Sequence, residues 1–251
     1  MALNENRGVK RFAESQSPAA FRVGSSVVGR STSTKGSVVT GAQKRKSPDV
    51  RRREILDAVI AIGSDKGLDA ISVRDVAEQA GVAPGLIHHY FPSMDELLAE
   101  SFGSWADSSL KQLQEISDGA TPKVALALTV ANLSPDQRIW NDALSTAWRY
   151  SQLRERAKAL SEDYLAHVEG LIRAGVEQEQ FTCPDPRATA WRIILVLDGM
   201  VAMMHILDLI GRDELATIVG PVVENELGIP TGAFTELVQA VLVADDVMTH
   251  A

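Results

Sequence analysis

The chain has 251 residues, 45% of them hydrophobic, which suffices for a small and a larger domain and excludes a disordered protein. A single cysteine, Cys183, excludes an intrachain disulfide and fits a reducing compartment. The net charge of −8 hides an asymmetry: residues 1–53 carry 12 Lys/Arg against 3 Asp/Glu, and the remainder 13 against 30. A basic arm on an acidic body points to a nucleic-acid contact confined to one end.

In chain order, residues 1–43 are rich in Ser, Thr, Gly and Val without periodicity and are expected to form a disordered tail. Recognisable patterning begins only near Lys44, so part of that tail is read as the product of an over-long reading frame. Lys44, Arg45, Lys46 and Arg51 to Arg53 flank Ser47-Pro48, a helix-start signal. The first helix follows, with Ile55, Leu56, Val59 and Ile62 on one face and a stop at Gly67. The stretch Ser72 to Leu98 then predicts two short helices about a tight turn and the start of a third. Ser72 N-caps the first, Asp75 favours the same terminus, and Gly81 supplies the left-handed residue that ends it. Pro84 opens a second helix that runs to Phe91 and is stopped by Pro92. A helix, a Gly-containing turn and a second helix form a helix-turn-helix, the arrangement that reads DNA.

A long helix from Ser93 carries Leu98, Phe102, Trp105, Leu113 and Ile116 along one stripe. Pro122 opens a helix to about Leu133. Pro135 opens another with Ile139, Ala143, Thr146, Tyr150 and Leu153 at three- and four-residue steps. Further helices are expected over Ala159–Gln180, Pro186–Ile210, Arg212–Leu227 and Gly232–Met248. No hairpin turns or alternating strands appear, so the fold class is all-α, with an N-terminal three-helix domain over 44–92 and a helical domain over 93–251. The most apolar window, Trp191 to Ile210, is interrupted by Arg192, Asp198, His205 and Asp208, so no membrane span is expected. The N-terminus lacks an apolar core of signal-peptide length, and the expected location is the cytoplasm. Cys183, between Phe181 and Pro184, reads as an incidental loop thiol.

The run RREILDAVIAIGSDKGLDAISVRDVAEQAGVAPGLIHHYFPSMDELL resembles the DNA-binding domain of the tetracycline-repressor (TetR) family of bacterial regulators. Within that family, GLIHHYF and the Trp-bearing chain after it are most similar to the choline-sensing, BetI-like branch. The resemblance covers about a fifth of the chain. It implies that the second short helix enters the major groove, with Ala83, Pro84, Gly85, His88, His89 and Tyr90 facing bases and phosphates and Phe91 in the core. Gly85 would let the backbone approach DNA. Adjacent histidines cannot both point inward on a helix, so at least one of His88 and His89 should face outward. Ser72, Arg74 and the arm residues Lys44, Arg45, Lys46 and Arg51 complete the expected DNA-binding set.

Three positions depart from the family pattern. Ala83 stands where Ser or Thr is common, His88 where Tyr is common, and Met94 where Lys is usual. No Lys or Arg occurs from Asp75 to Leu110, so phosphate neutralisation falls to Arg74 and the arm.

The resemblance further implies a homodimer on a palindromic double-stranded DNA operator, joined through the helices at 186–210 and 219–227. It also implies a cavity in the second domain for a small-molecule effector, with no cofactor. Trp105, Trp140, Trp148, Asp198, Met203 and His205 are the expected lining, alongside Tyr150, Met200 and Met204, although aromatics and Met at helical spacing equally well fill a core. Asp198 and His205 lie seven apart on one apolar face, either orienting a polar or cationic ligand or pairing at a dimer interface. Neither a phosphate loop, HExxH nor Cys/His metal spacing occurs, which argues against an enzyme. The alternative is a helical binding or scaffold protein that has lost operator recognition.

Overall fold

The computed structural model describes residues 46–132 and 137–249, with side chains through 244. Lys44, Arg45, the 1–43 tail and the expected helix start at Pro135 lie outside them. All described secondary structure is helical, so the all-α expectation holds.

The local signals act as read. Helix α1 (Pro48–Lys66) starts where the Ser47 hydroxyl accepts from Val50 N–H at 3.3 Å, and it ends at Gly67 with φ 87°. A 3₁₀ turn (Leu68–Ala70) leads to α2 (Val73–Ala80). There Ser72 and Asp75 form a reciprocal capping box: Ser72 Oγ accepts from Asp75 N–H at 3.3 Å, and Asp75 accepts from Ser72 N–H at 2.9 Å. The bonds from Ser72, aided by Lys66 at 3.0 Å, hold the Asp75 carboxyl down at about 2. Gly81 takes the left-handed conformation, φ 64°. Helix α3 (Pro84–Tyr90) follows, and Ala83 gives it no side-chain cap. Ser93 caps α4 (Met94–Ser117), whose 24 residues extend about 36 Å.

Beyond α4 come α5 (Pro122–Ala131), α6 (Arg138–Thr146), α7 (Ser151–Glu177), α8 (Pro186–Val201), α9 (Leu215–Leu227) and α10 (Ala233–Thr249). Two buried clusters organise them. One joins α1 to α3 with the first half of α4, and then runs on through Ile139 and Ala143 of α6 and Leu153, Ala157 and Leu160 of α7. The head core therefore continues across the expected boundary at residue 92. The other packs the end of α4 and all of α5 against α7 to α10.

Two helix assignments need correction. Tyr150 and Leu153 do not continue the helix of Ile139; the chain breaks after Thr146, and α7 starts at Ser151, eight residues before the expected start. The cap comes from elsewhere in the fold: Asp95, in the first turn of α4, accepts from the N–H groups of Gln152 and Leu153 at 3.0 Å and from the Ser151 hydroxyl at 3.1 Å. Those bonds outweigh burial and lower its carboxyl pKa. Likewise α8 stops at Val201. Residues Ala202–Ile206 form a wider π turn, and Asp208 closes the segment at φ 52°. Pro186–Ile206 is long and apolar enough by length and composition to cross a bilayer, but it packs here against α7 and α9 and carries Arg192 and Asp198.

Candidate DNA-reading helix and ligand cavity

On the head, Ile87 and Phe91 are buried and fix α3 from beneath. Its outer side presents Ala83, Pro84, Gly85, His88 and His89, all exposed, with Tyr90 half-buried. Both histidines face outward, where at least one was required. The His89 ring meets Tyr90 edge-on, centroids 5.4 Å apart. A Cβ built on Gly85 would meet nothing within 4 Å, so nothing in the protein's own packing demands a glycine there. Close approach by an outside surface would.

The expected cations are less available than the sequence suggests. Lys46 and Arg51 both pair with Glu54, the latter at 2.9 Å. Arg52 pairs with Glu100 at 2.6 Å and lies 4.7 Å over the Phe91 ring, tying α1 to α4 rather than offering its charge outward. Arg74 is exposed with no ion-pair partner among the described residues. Ser72 is exposed, but its hydroxyl is committed to the capping box.

In the second domain a cavity of about 260 Å³ opens between α4, α6, α7 and α8. Trp105, Ser109 and Leu113 of α4 and Trp140, Asn141 and Leu144 of α6 form two walls. Leu160, Ser161 and Tyr164 of α7 and Trp191, Leu195 and Asp198 of α8 form the others. Buried Phe102 holds two of the indoles, with centroid separations of 5.9 Å to Trp105 and 5.3 Å to Trp140.

Of the expected lining, Trp105, Trp140 and Asp198 are brought together here. Trp148 is 75% exposed, with the Arg149 guanidinium 5.7 Å from its ring centroid. Met203 and His205 do not line the cavity: the π turn takes His205 out of the register that a continuous α8 would share with Asp198, and Met203, five residues after Asp198, lies off that face of a helix in any case. Met200 and Met204 are core. Tyr164, Asn141 and Trp191 are lining residues the sequence reading left out. Their signal was available: Trp191, Leu195 and Asp198 fall at i, i+4 and i+7, one face of a helix.

The cavity holds several neutral polar side chains, Ser109, Asn132, Gln137, Asn141, Ser161 and Tyr164, and little charge. Among the described residues that line it, Asp198 is the one acid and none is Lys, Arg or His. Burial pushes the Asp198 carboxyl up to about 6, and burial together with the nearby Asp198 charge raises the Tyr164 phenol. Trp105 Nε1 and Asn141 Nδ2 are buried donors without a hydrogen-bond partner.

Comparison with known proteins places the head. Residues 55–101 match the family model described as bacterial regulatory proteins, tetR family. The transcriptional repressor KstR of Mycobacterium tuberculosis is 36% identical over 123 residues, 49% of this chain and 54% of that one. The regulator BetI of Brucella canis is 26% identical over 65% of this chain and 82% of its own. Among solved structures, a transcriptional regulator from Saccharomonospora viridis in complex with choline superposes with TM-score 0.64 at 18% identity, covering 71% of this chain and 98% of that one. FadR of Bacillus subtilis in complex with stearoyl-CoA gives 0.55 at 24%, covering 70% and 98%. These relatives are transcriptional regulators, not enzymes.

Proposed function

We propose that this chain, a transcriptional regulator of the TetR type, acts as a homodimeric repressor that holds a palindromic operator with two copies of α3 and releases it when a small molecule fills the cavity. The observation that carries the reading is the outer side of α3: two exposed histidines and an unconstrained glycine on a helix pinned from beneath by Ile87 and Phe91. Imidazole nitrogens can hydrogen-bond at base edges and phosphates, and Gly85 lets the backbone approach phosphate. A single helix-turn-helix spans few base pairs, so a second copy about 34 Å away on the duplex supplies specificity. Apolar side chains left exposed along α8, the segment after it and α9, among them Ile206, Leu207, Leu209 and Ile218, support the dimer. The repressor named above and the two ligand-bound neighbours support repression and release by analogy. Similarity to BetI covers more of the chain than similarity to KstR but at lower identity, and the BetI-like branch is part of this proposal, supported by GLIHHYF and the tryptophans after it. The cytoplasm is the compartment such a regulator needs.

Fluorescence anisotropy of the full chain on its own upstream intergenic DNA, across a salt series with competitor, tests this reading. Sequence-selective, salt-sensitive binding to a palindrome is expected. No binding there, together with a random-site selection that enriches no palindrome, would overturn it in favour of the scaffold alternative.

A further inference from the structure

The outer side of α3 bears on how it meets phosphate, an inference that rests on α3 being the DNA-reading helix. We propose that His88 and His89 enter the groove as imidazolium, so that DNA binding takes up protons and tightens as pH falls through the neutral range.

Three observations converge. First, α3 has no other source of positive charge. No Lys or Arg occurs from Asp75 to Leu110, and α3 turns outward Ala83, Pro84, Gly85, His88 and His89, all exposed. Imidazole is the side chain that ordinarily changes charge between about pH 5 and 8. Second, neither ring is engaged inside the protein. Among the described residues His88 and His89 make no hydrogen bond or ion pair, and the recorded contact of His89 is the edge-on Tyr90 ring. Helix α2, packed against α3, carries Arg74, Asp75 and Glu78. Asp75 is bound to Ser72 and Lys66, and neither Arg74 nor Glu78 pairs with a histidine. In the first turn of α4, Asp95 is taken by the start of α7, and Glu96 pairs with neither ring. From α1, Arg52 lies over Phe91 and is taken by Glu100. Third, the fixed cations are short. Lys46 and Arg51 pair with Glu54, so among the described residues of the expected DNA-binding set Arg74 alone is an unpaired cation. A phosphate beside an imidazole favours its charged form, and each phosphate so neutralised releases a counterion. A proton held more tightly in the complex strengthens binding in acid, and the gain is lost as pH rises through the pKa the ring has on DNA. A ring that instead accepted a hydrogen bond from a base would be weakened by the same proton.

Gel-shift titrations of the full chain at about pH 6, 7 and 8 and fixed low ionic strength test this, on its own upstream intergenic DNA and on a duplex of scrambled sequence. Phosphates are common to all DNA, so affinity for both duplexes is expected to rise about tenfold or more from the highest pH to the lowest. In a salt series at the lowest pH, the slope of log K should steepen by about 0.9 for each phosphate an imidazolium neutralises. Calorimetry of the unaltered protein in two buffers of different ionisation enthalpy counts the protons. Two rings in each of two copies should take up about one to four near neutral pH. His88→Gln combined with His89→Gln should lose most of the rise. Asp198 also titrates at about 6, so a double variant that keeps the whole rise overturns the assignment to α3. Affinity that is flat or falls toward acid, or binding without proton uptake, overturns the inference and leaves the regulator reading standing. No binding to either duplex at any of these pH values overturns both.

Discussion

Replacing Asp198 by Asn should stabilise the unliganded protein, and only above a particular pH. Burial raises the Asp198 carboxyl from its ordinary 3.8 to about 6. A group whose pKa is raised on folding binds its proton more tightly in the native state. Its favourable contribution is complete below the unfolded pKa and is lost as pH rises through the folded one. The shift of about two units corresponds to a ceiling of about 3 kcal/mol, at about 1.4 kcal/mol per unit. Water at the cavity mouth screens the charge, so about 1–2 kcal/mol is a fairer expectation. At about 2–4 °C per kcal/mol for a chain of this size, Asp198→Asn should melt about 2–8 °C above the parent at neutral pH. The gap should close as pH falls through 6 and vanish near pH 4, because Asn mimics the protonated carboxyl. Thermal melts by circular dichroism at one fixed protein concentration would trace the curve, the concentration being held because dimerisation contributes to Tm. A gap independent of pH, or one that widens on the acid side, would refute the assignment of Asp198 as a buried, uncompensated carboxylate.

Other consequences are as direct. Gly85→Ala should leave Tm unchanged or raise it, since Ala gains up to about 1 kcal/mol in a helix, yet weaken operator binding about tenfold in an anisotropy titration; unchanged affinity would mean that DNA does not approach that backbone. Arg74→Ala should lower the slope of log K against log salt by about 0.9, whereas deleting residues 1–46 should weaken DNA binding and flatten the slope further; an unchanged slope in either removes that segment from the phosphate contacts. Asp95→Ala should cost about 1–3 kcal/mol in urea unfolding by leaving the first N–H groups of α7 uncapped, and a stability equal to the parent's would show that water replaces the carboxylate.

How much of this was legible depended on whether a signal was local. Ser47-Pro48, the Ser72–Asp75 pair, Gly81 and Ser93 each act within one turn of themselves, and each ends or starts a helix where the sequence puts it. The start of α7 was not legible, because nothing in Ala147–Tyr150 breaks a helix; the cap is Asp95, distant in sequence. The π turn after Val201 likewise carries no Gly or Pro, and its widening moved His205 away from the face that its spacing from Asp198 had implied. Charge was legible as composition and not as availability: Lys46 and Arg51 share Glu54, and only the folded chain shows it. In the cavity Trp105 and Trp140 were legible and Trp191 was missed, while the unpaired state of Trp105 Nε1 and Asn141 Nδ2 is a property of packing.

The placement of α6 connects the two halves of the proposed mechanism. Its Trp140, Asn141 and Leu144 line the cavity, while neighbouring residues fasten the same helix to the head. Arg138 donates to the Ser64 carbonyl at 2.6 Å, the Asp142 carboxylate accepts from Leu68 N–H, and Ile139 packs into the head core. Just beyond α6, Arg149 pairs with Asp69 of the same turn. These bonds hold the C-terminal end of α1 and the 3₁₀ turn after it, from which α2 and then α3 are hung. A helix of nine residues is too short to bend, so a ligand that displaces Trp140 moves Asp142 with it. The effect on DNA is bounded by the difference in the ligand's affinity for the two positions of α6. Asp142→Asn, which keeps the shape but weakens the bond to Leu68 N–H, should therefore reduce the ligand's effect on operator affinity more than it reduces ligand binding itself. Equal losses in both would mean that the cavity and the head communicate through α4 instead, by the Arg52–Glu100 pair.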